Sequence, residues 1–140
     1  MRVLSLDVGD RRIGVALSDP TGTVASPLMT IYRSAEVKDH QIIADLVREH
    51  AVERIVIGLP KTLRGELGPQ AQRVLRFGDR LSRVVQVPIV YWDERYTTAD
   101  AERIVGRRRR NRGRGFVDEV AAAVILQAYL DSLQNARSEC

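Results

Sequence analysis

The chain has 140 residues, enough for one domain with a sizeable buried core and too few for a second independent one. Hydrophobic residues make up 44% and charged residues 29%, a balance that excludes a disordered or fibrous chain. The net charge of +4 is a local excess: RRRRNRGR at residues 107–114 clusters six arginines, an electrostatic footprint for phosphate.

Cys140 is the only cysteine, so neither a disulfide framework nor a zinc cluster is expected, which fits a reducing cytosol. The chain opens directly on a strand pattern, and no apolar run approaches the roughly 18 residues a membrane span needs. Export and membrane insertion are therefore not expected, and a single domain over residues 1–140 is.

Residues 2–6 and 13–18 read as two strands joined by a loop containing Gly9, an antiparallel pair. Gly14 falls inside the second strand, where a glycine marks a close backbone approach. A third strand is expected over residues 23–31, with Pro27 confining part of it to an edge or a bulge. Ile42, Ile43, Leu46 and Val47 recur at helical spacing and predict a helix over 37–50. RIVIG at 54–58 is a short apolar run with a glycine stop, the pattern of a buried parallel strand. A helix over 70–85 with Val74, Leu75, Phe77, Leu81 and Val84 as its buried side follows, then PIVYW at 88–92 as a fifth strand. A short helix at 98–105, the arginine-rich loop and a long helix over 116–133 complete the order β-β-β-α-β-α-β-α-α. That order predicts an α/β fold with a five-stranded mixed sheet: a three-strand antiparallel meander plus two parallel strands, flanked by helices.

In open α/β sheets, function gathers where strand ends and strand order create a crevice. Asp7 stands at the end of the first strand, Asp93 and Glu94 directly after the fifth, and Asp118 and Glu119 at the mouth of the apolar last helix. Asp118 shares a helical face with Ala122, Ile125 and Tyr129, so it is expected to point inward and Glu119 to water. Taken singly, such residues are usually turn residues or helix caps. If Asp7, Glu94 and Asp118 meet, their charges repel, and a hard divalent cation such as Mg²⁺ or Mn²⁺ relieves the repulsion. Arg95 has two open roles, pairing with a neighbouring carboxylate or taking part in the chemistry. His40 and His50 read as surface residues, and Trp92 as packing beneath the site.

Four stretches, DVGDRRIGVALSD, VIGLPKTLRGELGPQA, DERYTTADAE and VDEVAAAVILQAYL, resemble in that order the signature segments of the YqgF/RuvX family. The resemblance covers nearly the whole chain and implies a ribonuclease H-like fold. It implies a nuclease acting in 5′-end processing of pre-16S ribosomal RNA or, in the family's other description, a Holliday junction resolvase. It places the acidic triad on Asp7, Glu94 and Asp118, the three carboxylates that strand and helix reading had also singled out. Thr62 replaces the polar amide common after GLP, and Arg64 stands where an acidic residue is common.

The expected chemistry is phosphodiester hydrolysis with two Mg²⁺ or Mn²⁺ ions held by Asp7, Glu94 and Asp118, Asp7 bridging both. Arg11, Arg12, Arg107, Arg108, Arg109, Arg110, Arg112 and Arg114 are the expected contacts to the phosphates of structured RNA or branched DNA. A junction enzyme requires two active sites, hence a symmetric homodimer, for which Val84, Val85 and Val87 are candidate contacts. Two readings from other classes compete: a nucleic-acid-binding adaptor without catalysis, and a phosphotransferase related to sugar kinases through the turn at DVGDRRIG.

Overall fold

In β1 (Val3–Val8) successive side chains serve two different cores. Leu4, Leu6 and Val8 join a cluster with Ile43 and Leu46 of α1 (Glu36–Glu49) and Val74, Phe77 and Leu81 of α2 (Pro69–Leu81). Val3 joins a second cluster with Ala122, Ile125, Leu126 and Leu130 of α3 (Val117–Ser138). Ser5, on that same face, donates from Oγ to the Ala122 carbonyl at 2.7 Å. The sheet is therefore the middle layer, with α1 and α2 on one face and α3 on the other. The computed structural model describes residues 1–97, 101–103, 105 and 117–138.

The strand order is β3-β2-β1-β4-β5, completed by β2 (Arg12–Ser18), β3 (Ala25–Tyr32), β4 (Arg54–Leu59) and β5 (Ile89–Asp93). β1/β2 and β2/β3 pair antiparallel, and β4 pairs parallel with both β1 and β5. This is the mixed sheet that the order of apolar runs predicts. On edge strand β3, Val15 lies opposite Met29 and Ala16 opposite Pro27, so Leu28 is the extra residue of a bulge beside the proline.

Several boundaries and burials differ from expectation, Val84 among them: expected on the buried side of the second helix, it lies beyond α2 and is exposed. β1 extends to Val8, which puts Asp7 inside the strand rather than beyond it. α2 stops at Leu81 because the chain turns back there, Val84 N–H donating to the Leu81 carbonyl at 2.9 Å, before entering β5. α3 runs on to Ser138. His40 is buried rather than on the surface, packed edge-on against Phe77 with ring centroids 4.8 Å apart. It stands one turn before Ile43 and Ala44 on the stripe that faces α2, a position that counting apolar residues alone overlooks.

Two glycines explain how α3 reaches the end of β1. Asp7 lies opposite Gly14 on β2, and on its other side Gly58 of β4 is one residue beyond the Leu6–Ile57 pair. A Cβ on Gly14 would lie 1.9 Å from the Asp118 carbonyl oxygen; on Gly58 it would lie 2.7 Å from Ile125 Cδ1 and 3.3 Å from the Glu94 side chain. Backbone blocks the first position, whereas a flexible side chain occupies the second. Gly14→Ala is therefore expected to destabilise the fold by about 3 kcal/mol or more, and Gly58→Ala by about 1–2 kcal/mol, the range for overpacking with and without room to adjust. Urea unfolding of both variants checks the order; equal midpoints would contradict the close approach of α3.

Candidate active site

Asp7 sits on the α3 face of β1, flanked by the two glycines, and burial together with the nearby Asp118 charge raises its pKa. Glu94 begins a single 3₁₀ turn (Glu94–Tyr96) directly after β5 and folds back against Gly58. Burial, with the charges of Asp7 and Asp93, pushes the Glu94 carboxyl up to about 7. The Asp118 charge, from α3, thus acts on Asp7, and the Asp7 charge acts on Glu94 at the end of β5.

Its neighbour Asp93 has the opposite fate. It caps the 3₁₀ turn by accepting from the Arg95 backbone N–H at 3.0 Å, and it receives the Arg95 guanidinium through Nη2 at 2.6 Å. Lys61 Nζ lies 3.7 Å away. The Arg95 hydrogen bonds hold the Asp93 carboxyl down at about 2. Of the adjacent acids at the end of β5, one is neutralised by its surroundings and the other, Glu94, has no cation beside it among the described residues. Arg95 thus takes the pairing role. Its guanidinium also lies 2.9 Å from where a Gly65 Cβ would stand, and Gly65, at φ +84, closes the turn after Thr62. Trp92 packs edge-on to Tyr96 and Tyr129 beneath this turn, as expected.

The orientation at the start of α3 reverses expectation. Glu119 is 5% exposed, whereas the Asp118 side chain is 31% exposed. The face bearing Glu119 continues through Ala123, Leu126 and Leu130, all buried, with Val105 of a short helical stretch in the same cluster. A helix covered on more than one side leaves no solvated stripe for Glu119. Asp118 lies at the rim, where Arg12 Nε approaches its Oδ2 at 3.1 Å. That pair involves the first residue of β2 and the first turn of α3, and no spacing in the sequence signals it. Arg11 is exposed in the turn before β2. The run containing Arg107, Arg108, Arg109, Arg110, Arg112 and Arg114 lies outside the described residues.

Among the described residues, no three His, Cys, Asp or Glu side chains converge closely enough to hold one ion. The donor chemistry nonetheless suits a hard cation. Asp7 and Glu94 are carboxylates whose raised pKa values express a negative charge without compensation, and Arg12 is what stands against the third.

Comparison with known proteins decides the family: the model "RuvX: Holliday junction resolvase" matches residues 1–132. The chain belongs to the RuvX family. It is 45% identical over 139 residues to a Caldanaerobacter subterraneus protein named "Putative pre-16S rRNA nuclease", covering 97% of this chain and all of that one. A Desulforudis audaxviator protein of the same name is 47% identical over 143 residues, covering 99% of each. RuvX is a family of phosphodiester-cleaving nucleases, and the chain is a hydrolase of that class. In fold it is similar to Thermus thermophilus RuvC in complex with a Holliday junction, with TM-score 0.65 and 16% identity over 94% of this chain and 96% of that one. The fowlpox virus Holliday junction resolvase gives TM-score 0.55 at 13% identity, over 94% and 99%. These structures establish the ribonuclease H-like architecture expected from the sequence.

The raised carboxyls have a consequence for stability without metal. An acid whose pKa is higher folded than unfolded holds its proton more tightly in the folded state, so folding gains as pH falls from about 7 toward the unfolded value near 4.5. Buried His40, whose pKa is lowered, acts in the opposite sense below its ordinary value of 6.5. The difference between wild type and Glu94→Gln isolates the Glu94 contribution. In chelator, the Tm advantage of Glu94→Gln over wild type should be largest at pH 8 and shrink toward pH 5. A difference independent of pH would show that Glu94 is not held in an unfavourable charged state.

Proposed function

We propose that this RuvX-family nuclease is a divalent-cation-dependent endonuclease acting in 5′-end processing of precursor 16S rRNA, with Asp7, Glu94 and Asp118 as its catalytic carboxylates. The single observation that carries this reading is the approach of Asp118 and of Glu94 to the two glycines that flank Asp7, from three separate elements around one strand end. The RNA substrate rests on the names of relatives 45–47% identical over nearly the full chain.

Asp7, Glu94 and Asp118 would hold Mg²⁺ or Mn²⁺, which would supply activation of a water and stabilisation of the leaving oxygen. Asp7 and Glu94 provide hard oxygen donors on a half-buried shelf, where electrostatic interactions are stronger than in open water. Arg12, 56% exposed and held at Asp118, is positioned to exchange that carboxylate for a phosphodiester oxygen, which frees Asp118 for the cation. Arg11 and the arginines of residues 107–114 add phosphate contacts that give affinity without base choice. A cytoplasmic location accords with this substrate, and no helix among the described residues is long and apolar enough to cross a membrane.

The description of the matching family model favours one second reading, resolution of four-way DNA junctions by a symmetric homodimer. Cleavage of a labelled precursor 16S 5′ region and a four-way junction, with Mg²⁺ or Mn²⁺, separates the two. Wild type is expected to cut the RNA in a metal-dependent manner, and Asp7→Asn to lose roughly 10²–10³-fold in rate while still binding it, since one electrostatic group of a catalytic site is worth about that much. Preferential cutting of the junction would transfer the reading to the resolvase. Absence of cutting with tight binding would favour the non-catalytic adaptor.

A further inference from the structure

Past Asp7 the chain leaves β1 through Val8, Gly9 and Asp10, and these residues border a cleft of about 250 Å³ on the α1/α2 side of the sheet. The cleft does not include Asp7, Glu94 or Asp118; it begins at the residue that follows the catalytic strand position. Its α2 wall carries Arg73, Arg76 and Arg80 at spacings of three and four, one stripe of that helix. Arg33, just after β3, faces them and anchors the floor by donating from Nη1 to the Gly9 carbonyl at 2.9 Å. Four arginines meet only two lining carboxylates, Asp10 and Glu36.

The pairs already present orient these arginines without saturating them. Arg80 Nη1 lies 3.0 Å from Glu36 Oε2, and Arg73 Nε lies 3.5 Å from Asp10 Oδ1 with both side chains more than half exposed. Arg33 is held by buried Asp39 at 3.5 Å. Arg76 makes no ion pair among the described residues. An exposed pair such as Arg73–Asp10 contributes little to stability and is easily exchanged, whereas a phosphodiester offers arginine charge-assisted, two-pronged hydrogen bonds. The apolar lining residues Val8, Val74 and Phe77 are buried in the core, so what the cleft exposes is mainly charge.

We infer that the cleft bordered by Gly9, Arg33, Arg73, Arg76 and Arg80 is a backbone-binding groove that holds a phosphodiester of the substrate strand beyond the scissile one. It rests on the nuclease reading for the direction of the strand and extends that reading to a face of the sheet that carries no catalytic carboxylate. Val8 and Gly9, the residues that directly follow Asp7, line the groove, so it starts at the same strand end from the opposite face of the sheet. Contacts of this kind raise affinity for any sequence and set how far a strand must extend from the cut to be held.

The test is RNA binding by the Asp7→Asn protein, read as fluorescence anisotropy of a labelled precursor 16S 5′ fragment over a salt series. Adding R73A and R76A should weaken binding roughly tenfold near 0.1 M salt and lower the salt slope by about 1–2, the loss of one or two phosphate contacts. R48A and R83A remove the same charge from exposed positions outside the cleft and should leave the slope within about half a unit. An unchanged slope in R73A/R76A, or equal losses in both double variants, would overturn the groove. A thermal shift by inorganic phosphate that R73A/R76A abolishes, with RNA binding intact, would also overturn it and leave a free-phosphate pocket. Because binding is read without cleavage, a wild type that fails to cut while R73A/R76A still loses slope supports the groove and overturns the catalytic reading alone.

Discussion

The structure depends on holding Asp7 and Glu94 half-buried beside one another with no positive side chain paired to either among the described residues. Asp7 stands within a central strand and Glu94 folds onto the same shelf, both with raised pKa values, Asp7 from burial and the Asp118 charge, Glu94 from burial and the charges of Asp7 and Asp93. An isolated carboxylate so placed opposes folding, and the rest of the domain has to outweigh it. Two aliphatic clusters do this, one on each face of a sheet whose central strands are almost wholly buried. The site is thus an electrostatic strain carried by a well-packed scaffold, and a bound cation is the natural way to relieve it.

The same scaffold decides which charges stay unbalanced. Gly14 and Gly58, on either side of Asp7, clear the space through which α3 and Glu94 close on it. Asp93, one residue from Glu94, is satisfied by Arg95 and Lys61 and serves to fix the turn. Arginine supplies counter-charge at the rim, with Arg12 at Asp118 and the stripe on α2 beyond the end of β1. Positive charge therefore lies at the rim by Asp118 and, separately, along α2 on the other face of the sheet, a distribution suited to the proposed polyanionic substrate.

Much of this was legible in the sequence because it rests on period and order. The apolar runs RIVIG and PIVYW, the meander before them and the helical repeats between them fixed a mixed sheet, and strand ends then nominated Asp7 and Glu94. The four motifs pointed to the family that the comparison established. What escaped depended on contacts across the fold. His40 is buried because α2 covers its side of α1, and Glu119 is buried because α3 is enclosed on more than one face. The Arg12–Asp118 pair joins residues 106 positions apart, and the placing of Gly58 next to Asp7 follows from strand register, which no single segment encodes. The arginines at 33, 73, 76 and 80 read as ordinary surface charge until α2 and the turn after β1 are seen to share a cleft.

The most direct test of the central claim is the count of protons released when Mn²⁺ binds, measured by calorimetry at pH 6.5 in two buffers of different ionisation enthalpy. A carboxyl pushed up to about 7 is mostly protonated at that pH and must ionise to bind metal, so wild type should release roughly one proton per protein, and Glu94→Gln almost none. Release near zero in wild type, or no Mn²⁺ binding at all, would contradict an uncompensated carboxylate site built to receive a cation.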